Sequence, residues 1–326
     1  MPSFDFLTPI VTQSDVVTFS DDRVNLKQDK AQQYREQVNN LRDHLDRYLK
    51  DHPDLGVSKM QLSGSLAKGT ALSTIKDVDV AVYINGDAPS DLEPLLNWLA
   101  ERLRKTYPQM PYNAIRVDGP CVVISFSGTG IDVDISPILD LNDEKGYGYL
   151  WDPVTGKKIK TSIPLHLKFI RKRKEKHPNH YAQVIRLLKW WAKQRTKDTQ
   201  GFELRSFILE LIVTKLADDG LDFANYHLAL EKVFAYIVKS ELKERIAFAD
   251  NYTNAALPKT RIHPVEIFDP VNAENNVADN ISDYTRKLIV QAAENALDAI
   301  SYARNCQIKR DSIQCWQDLM GASFNA

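Results

Sequence analysis

Hydrophobic side chains near the N-terminus recur at helical spacing. Residues 24–52 contain no glycine or proline, and apolar positions return at steps of three and four. The apolar positions are Tyr34, Val38, Leu41, Leu45 and Leu49. A stripe of this kind on one face is typical of a long amphipathic helix that packs against a core. The pattern predicts a long helix over Val24–His52.

The next part of the chain changes to a period of two. Residues 77–84 (DVDVAVYI) alternate in polarity and are rich in β-branched side chains, which predicts a strand. Residues 121–128 (CVVISFSG) and 130–139 (GIDVDISPIL) have the same character and are separated by a short Ser-Gly-Thr-Gly turn. These two segments are therefore predicted to form a hairpin. Residues 91–106 are helical in pattern.

Strand signals fade after about residue 161. Helical patterns are found over Tyr181–Arg195, Arg205–Ala217, Tyr226–Ala247 and Ser282–Arg304. The chain is therefore predicted to be an α+β protein in which strands and helices are largely segregated. The predicted domains are residues 1–160, with the long helix and the sheet, and residues 161–326, which are mainly helical.

Paired aspartates are the first candidate for chemistry. Asp77 and Asp79 are two positions apart in a predicted strand, so both side chains point to the same face. Carboxylates that lie this close repel each other unless a cation lies between them, and Mg²⁺ prefers such oxygen ligands. Asp132 and Asp134 repeat the spacing in the hairpin, and a third carboxylate from a neighbouring strand would complete a two-metal site. The alternative is a solvated strand face.

A Gly-Ser pair, Gly64 and Ser65, precedes the first aspartate pair by a dozen residues. Glycine lets backbone N–H groups approach a phosphate without interference from a Cβ atom, and serine adds a hydroxyl. The pair is thus a candidate phosphate loop beside the metal-binding carboxylates. An ordinary polar turn that leads into a helix is the alternative.

Composition limits the class of protein. The chain has 326 residues, 43% apolar residues and a formal net charge of −1. This is enough apolar material for a core, and the charge does not favour binding to long duplex nucleic acid. The three cysteines form no Cys-x-x-Cys pair, which argues against a four-ligand zinc site. With no long apolar run or basic leader, the chain is expected to be cytoplasmic and not to associate with membranes.

The order of these motifs resembles a known superfamily. A Gly-Ser pair, a short helix, Asp-x-Asp and a later strand aspartate are typical of polymerase-β-like nucleotidyltransferases. The segments GSLAKGTALSTIKDVDVAVYI and GIDVDISP are most similar to the bacterial cGAS/DncV-like nucleotidyltransferases, or CD-NTases, and in detail to their clade C. The resemblance implies a nucleotidyltransferase lobe with a mixed sheet, packed on a helical second lobe and joined by the long N-terminal helix.

The resemblance also assigns site residues. It implies a catalytic and metal-binding set that holds two Mg²⁺ ions, or Mn²⁺, and consists of Asp77, Asp79 and Asp134. Asp132 lies beside this set without matching a family ligand. The implied nucleotide-binding residues are Gly64, Ser65, Lys189, Ser206 and Phe207. Lys189 would contact the donor triphosphate from a basic helix stripe, so its loss is expected to weaken binding with little effect on stability. Ser206 could instead be an N-cap, and Phe207 could instead be a core aromatic.

The activity implied by the resemblance is the metal-dependent synthesis of a cyclic oligonucleotide second messenger from ATP in antiphage (CBASS) signalling. A cyclic trinucleotide such as cyclic tri-AMP is the expected product. The implied partners are a HORMA-domain regulator with an AAA+ ATPase, and an effector nuclease that the cyclic nucleotide activates. A nucleic acid is expected only as a regulator. The basic run of residues 171–176 (RKRKEK) is a candidate site for such a nucleic acid or for an acidic partner surface, and is otherwise a solvated helix face.

Three other functions remain open from the residues alone. A related RNA-extending enzyme would be expected to carry a larger basic lobe than this neutral chain has. An adenylyltransferase for small molecules or proteins usually lacks a long helical second lobe. A catalytically inactive nucleotide-binding protein would not need the complete set of three aspartates.

Overall fold

The computed structural model describes residues 9–52, 56–85, 88–151 and 156–326. The chain divides by contacts into a first unit, Leu26–Phe169, and a second unit that joins the residues up to Asn25 with Ile170–Ala326. The sequence-based division after residue 160 stays a prediction. No helix within the described ranges is both long enough and apolar enough to cross a membrane.

The first unit is built on a seven-stranded sheet. The strands are β1 (Val57–Leu62), β2 (Asp77–Ile84), β3 (Ile115–Asp118), β4 (Cys121–Phe126), β5 (Ile131–Asp140), β6 (Gly148–Trp151) and β7 (Lys158–Thr161). Their order is β1-β2-β5-β4-β3, with β6 paired to β5 and β7 paired to β6. The pairing of β2 with β5 is parallel, and every other pairing between neighbouring strands of this sheet is antiparallel. The predicted α+β class with a mixed sheet is therefore confirmed.

Helices make up much of the rest of the described chain. They are α1 (Gln13–Phe19), α2 (Gln28–Asp51), α3 (Gly64–Lys68), α4 (Leu92–Thr106), α5 (Ile163–Lys176), α6 (His180–Asp198), α7 (Ser206–Asp218), α8 (Tyr226–Ser240), α9 (Asp283–Asn305) and α10 (Lys309–Met320). A short hairpin of β8 (Phe268–Asp269) and β9 (Asn272–Asn276), which the sequence patterns did not indicate, lies in the second unit.

The core of the first unit explains the alternation seen in the sequence. One sheet face presents Val78, Val80, Val133 and Ile135, all fully buried in a cluster with residues of α2 and α4. The α2 residues in this cluster include Val38, Leu41 and Leu45, as the stripe predicted. Because side chains alternate along a strand, the polar residues of β2 and β5 must point to the opposite face.

Two predicted helix boundaries differ from the structure by four residues or more. The long helix begins at Gln28 rather than Val24, because Asn25 and Lys27 have extended backbone angles. α8 ends at Ser240, so the prediction of helix to residue 247 is wrong. Glu241 and Leu242 both have positive φ angles, 48° and 54°, which no right-handed helix can accommodate.

The N-terminal segment of the second unit is tied to a distant helix. The Gln13 Nε2 atom donates to the carbonyl oxygen of Ala224 at 2.9 Å, and its Oε1 atom accepts from the Tyr226 N–H at 2.9 Å. Both contacts lie at the beginning of α8. The second unit is thus assembled from segments that are separated by the whole first unit in sequence.

The basic run of residues 171–176 is partly neutralised within the second unit. Arg173 is 3% exposed and donates to the carboxylates of both Asp218 and Asp250. Lys172 donates to the same Asp250 carboxylate at 2.9 Å. Two of the run's cations therefore have acidic partners in the protein, which reduces the charge that the run offers to a polyanion.

Candidate active site

Four aspartates share one face of the first unit's sheet. The parallel register pairs Asp77 with Asp132 and Asp79 with Asp134, without offset. The valines between them point into the core and are fully buried, so all four carboxylates lie on the face opposite to α2 and α4. We call this surface, defined by Asp77, Asp79, Asp132 and Asp134, the acidic face.

Charge crowding on the acidic face is strong enough to affect protonation. The pKa of Asp134 is raised to about 6, first by burial and then by the negative charges of Asp77, Asp79, Asp132 and Asp118. A carboxylate with such a pKa is a competent proton acceptor near neutral pH. A cation bound at this face would relieve the repulsion and return the pKa towards its ordinary range.

The donor chemistry of the acidic face fits a divalent metal, since hard carboxylate oxygens are the ligands that Mg²⁺ and Mn²⁺ prefer. Within the described ranges, no group of three or more His, Cys, Asp or Glu side chains is already arranged to hold a metal ion. Adjacent paired strands set the Cα atoms of Asp79 and Asp134 about 5 Å apart. At this Cα separation, rotation of the two side chains is enough to bring both carboxylates to one divalent ion.

Gly64 lies directly against the acidic face. It begins α3 with a φ angle of +61°, and the preceding Ser63 N–H donates to the Asp79 carbonyl oxygen at 2.9 Å. A Cβ atom on residue 64 would lie 2.5 Å from the Asp79 Cγ atom and 2.8 Å from its Cβ atom. Glycine is thus required here both for the left-handed backbone and for the close approach to Asp79.

Replacing Gly64 with alanine is expected to lower catalytic turnover at least ~100-fold, because the new methyl group must displace the Asp79 carboxylate. The left-handed backbone adds a stability cost of about 1–2 kcal/mol. Gly119→Ala is the matched control, since Gly119 has a φ angle of +55° but no atom within 4 Å of the position that a Cβ atom would take. Turnover and thermal unfolding are measured for both variants. Equal turnover in the two variants would show that Asp79 is not displaced.

Lys189 is buried rather than exposed on a basic stripe. Its Nζ atom donates to Glu210 Oε1 at 2.5 Å, and the side chains of Lys189 and Glu210 are 4% and 2% exposed. The pair joins α6 to α7 inside the second unit. Because Lys189 is buried in an ion pair, its loss is now expected to lower the stability of the fold, contrary to the expectation from the sequence. Its contact with a nucleotide stays a prediction.

Ser206 and Phe207 lie in the first turn of α7, in the second unit. The N-cap of α7 is Arg205, and no side chain makes a capping hydrogen bond, so the alternative of Ser206 as the N-cap is wrong. The Ser206 residue is exposed and Phe207 is half-buried. Their roles in nucleotide binding stay predictions, as does the role of the half-buried Ser65 in the first unit.

Sequence reasoning missed two side chains next to the acidic face. Arg116 of β3 donates to the Ser125 hydroxyl of β4 at 2.7 Å and to Asp132 Oδ2 at 3.4 Å. The alternation of IRVD at period two is the signal that could have placed Arg116 on the polar side of a strand, whereas CVVISF is almost continuously apolar and gives no such signal for Ser125. β3 has only four residues, which is too short for a clear pattern.

Comparison with known proteins adds independent information. Residues 11–166 match the family model of the Second Messenger Oligonucleotide or Dinucleotide Synthetase domain (SMODS). The chain is 44% identical over 318 residues to the cyclic AMP-AMP-AMP synthase of Escherichia coli strain MS 115-1, covering 97% of this chain and 99% of the relative. It is 31% identical over 320 residues to the CBASS oligonucleotide cyclase CdnC of E. coli strain KTE188, covering 96% and 98%.

Solved structures agree with the sequence relatives. E. coli MS115-1 CdnC with ATP superposes with a TM-score of 0.93 at 44% identity, covering 96% of this chain and 98% of that chain. The same protein in complex with HORMA-deltaN gives a TM-score of 0.92 at 43% identity, covering 99% and 100%. The chain belongs to the CD-NTase family. The resemblance seen in the sequence motifs is thereby confirmed, and this CD-NTase is an enzyme of the nucleotidyltransferase class.

Proposed function

We propose that this CD-NTase joins three ATP units and closes them into cyclic AMP-AMP-AMP. The observation that carries the proposal is the 44% identity to a cyclic AMP-AMP-AMP synthase over 97% of the chain. The acidic face supplies the chemistry that such a reaction needs, since phosphoryl transfer depends on positioning and on neutralising charge at the phosphates.

Each carboxylate of the acidic face has a proposed role. Asp77, Asp79 and Asp134 would hold two divalent ions, Mg²⁺ or Mn²⁺, which when bound would neutralise the triphosphate and make an acceptor hydroxyl more acidic. Asp134 is the proposed proton acceptor for the acceptor hydroxyl, and the bound ions would do most of the work of making that hydroxyl acidic. Asp132 contributes negative charge without being a ligand.

The nucleotide contacts are proposed on the resemblance and on local geometry. Gly64 and Ser65 would hold phosphates through backbone N–H groups and a hydroxyl, supported by the close approach of Gly64 to Asp79. Lys189, Ser206 and Phe207 are proposed contacts to the donor nucleotide. Phe207 would hold a base by stacking, which tolerates any base, so adenine preference must come from hydrogen bonds to the base edge.

The proposed partners follow from the relatives. CdnC of E. coli MS115-1 forms a complex with HORMA-deltaN, and we propose a HORMA-domain regulator for this enzyme as well. An AAA+ ATPase and a nuclease effector activated by the product complete the proposed CBASS pathway in the cytoplasm. Because the product would activate a toxic effector, low basal activity that the regulator raises is expected.

The test is incubation of the chain with all four NTPs and Mg²⁺, with and without the proteins encoded beside it, followed by mass spectrometry of phosphatase-resistant products. Cyclic AMP-AMP-AMP is the expected product. Long RNA chains would support the RNA-extending alternative, and an adenylylated protein or small molecule would support the adenylyltransferase alternative. Absence of any product under all conditions would support the catalytically inactive alternative.

A further inference from the structure

Arg116 places a positive charge beside the acidic face. In the sheet, Asp134 of β5 pairs with Val123 of β4, and Val123 pairs with Arg116 of β3. The three residues therefore form one row across the sheet and point to the same side. Two strand spacings separate the Cα atoms of Asp134 and Arg116, which is about 10 Å. An arginine side chain can reach into the space between them.

Two neighbours orient the Arg116 guanidinium. Its Nη1 atom donates to the Ser125 hydroxyl at 2.7 Å, and its Nη2 atom donates to Asp132 Oδ2 at 3.4 Å. The side chains of Arg116 and Asp132 remain 42% and 39% exposed. A guanidinium has five N–H donors, so these two contacts orient Arg116 while its partly exposed side chain keeps the capacity to bind a further anion.

A purely structural role explains this arrangement poorly. An ion pair that is this exposed, with a 3.4 Å separation, contributes little to folding. By contrast, a nucleotide that approaches the acidic face brings more negative charge to a surface that already repels anions. A guanidinium in this position would offset that repulsion, and its planar fork matches two oxygens of one phosphate.

We propose that Arg116 binds the 5′-phosphate of the acceptor, which is the nucleotide or linear oligonucleotide whose hydroxyl attacks at the acidic face. Ser125 and Asp132 are positioning residues that hold the guanidinium towards this phosphate. The proposal rests on the proposed function, because an acceptor with a 5′-phosphate exists only if the enzyme links nucleotides. Asp132, which is not among the proposed metal ligands, would then serve to position Arg116.

The test compares two unreactive probes that differ only in the 5′-phosphate, the linear diadenylates pApA and ApA. Their equilibrium binding in Mg²⁺ is measured by calorimetry for the wild-type chain, Arg116→Ala and Arg116→Lys. The wild type is expected to bind pApA about tenfold more tightly than ApA. Arg116→Ala should bind both probes equally, and Arg116→Lys should keep part of the preference, since a lysine retains the charge but not the fork.

Controls separate this role from a structural one. Arg35→Ala removes an exposed arginine from α2, which packs on the opposite face of the sheet, and should keep the full preference for pApA. Ser125→Ala should lose part of the preference without a change in melting temperature. The proposal is overturned if the wild type does not distinguish the probes, or if Arg116→Ala distinguishes them as well as the wild type does. Because neither probe carries a triphosphate, this result is independent of whether the enzyme forms a cyclic product.

Discussion

Replacing both Asp77 and Asp79 with asparagine is expected to reduce product formation at least ~1,000-fold. Both side chains project from the same face of β2, and the neighbouring strand β5 carries Asp134. Asparagine keeps the shape of the side chain but removes the negative charge that a divalent cation requires, and such electrostatic groups dominate catalysis of phosphoryl transfer. Conversion of radiolabelled ATP, resolved by thin-layer chromatography, measures the loss.

The matched control for this pair is Asp132→Asn, which removes one charge from the same face at a residue outside the proposed ligand set. Its effect is expected to be smaller than that of the double variant. Thermal unfolding in the absence of metal should show that all variants fold, since removing like charges from a crowded face does not destabilise it. Full turnover by the Asp77→Asn, Asp79→Asn variant would refute the metal-site assignment.

Replacing Lys189 with methionine is expected to destabilise the protein by about 3–5 kcal/mol, because it leaves the buried Glu210 carboxylate without its cation. For a chain of 326 residues this corresponds to a fall in melting temperature of roughly 4–7 °C. Differential scanning fluorimetry at neutral pH measures the change. A nucleotide-binding defect in this variant therefore needs to be measured well below its melting temperature.

The control is the double variant Lys189→Met, Glu210→Leu, which removes both charges of the pair. Replacing a whole buried ion pair with apolar residues is often neutral or stabilising, so most of the lost stability should return. If ATP binding remains weak in this restored protein, Lys189 itself contacts the nucleotide. If the single variant unfolds at the wild-type temperature, the Lys189–Glu210 pair does not stabilise the folded protein.

Local patterns were enough to predict the parts that form the acidic face. Residues 77–84 are a strand over the predicted range, and the strands of residues 121–139 form the predicted hairpin. Alternation also predicted correctly that Asp77 and Asp79 share a side. Strand formation and the direction of alternate side chains depend on residues that are close in sequence, so a period-two pattern is enough to predict them.

Features that depend on distant residues could not be read from such patterns. The parallel pairing of β2 with β5 joins segments about fifty residues apart, and no local signal specifies their register. Lys189 has the sequence context of an exposed helix position, and only the packing of α7 against α6 shows that Glu210 neutralises it. The end of α8 at Ser240 depends on positive φ angles at Glu241 and Leu242, residue types that rarely adopt them.

The discontinuous second unit also sets an order of events during translation. Gln13 finds its partner at Ala224, which is 211 residues later in the chain. At ribosomal speeds of about 5–20 residues per second, that partner is synthesised on the order of 10–40 s after Gln13. Residues 26–169 emerge in full during this interval and can fold first, while the segment up to Asn25 remains unpaired. A nascent chain whose first 169 residues have emerged from the ribosome would thus carry the complete acidic face but an unanchored N-terminus.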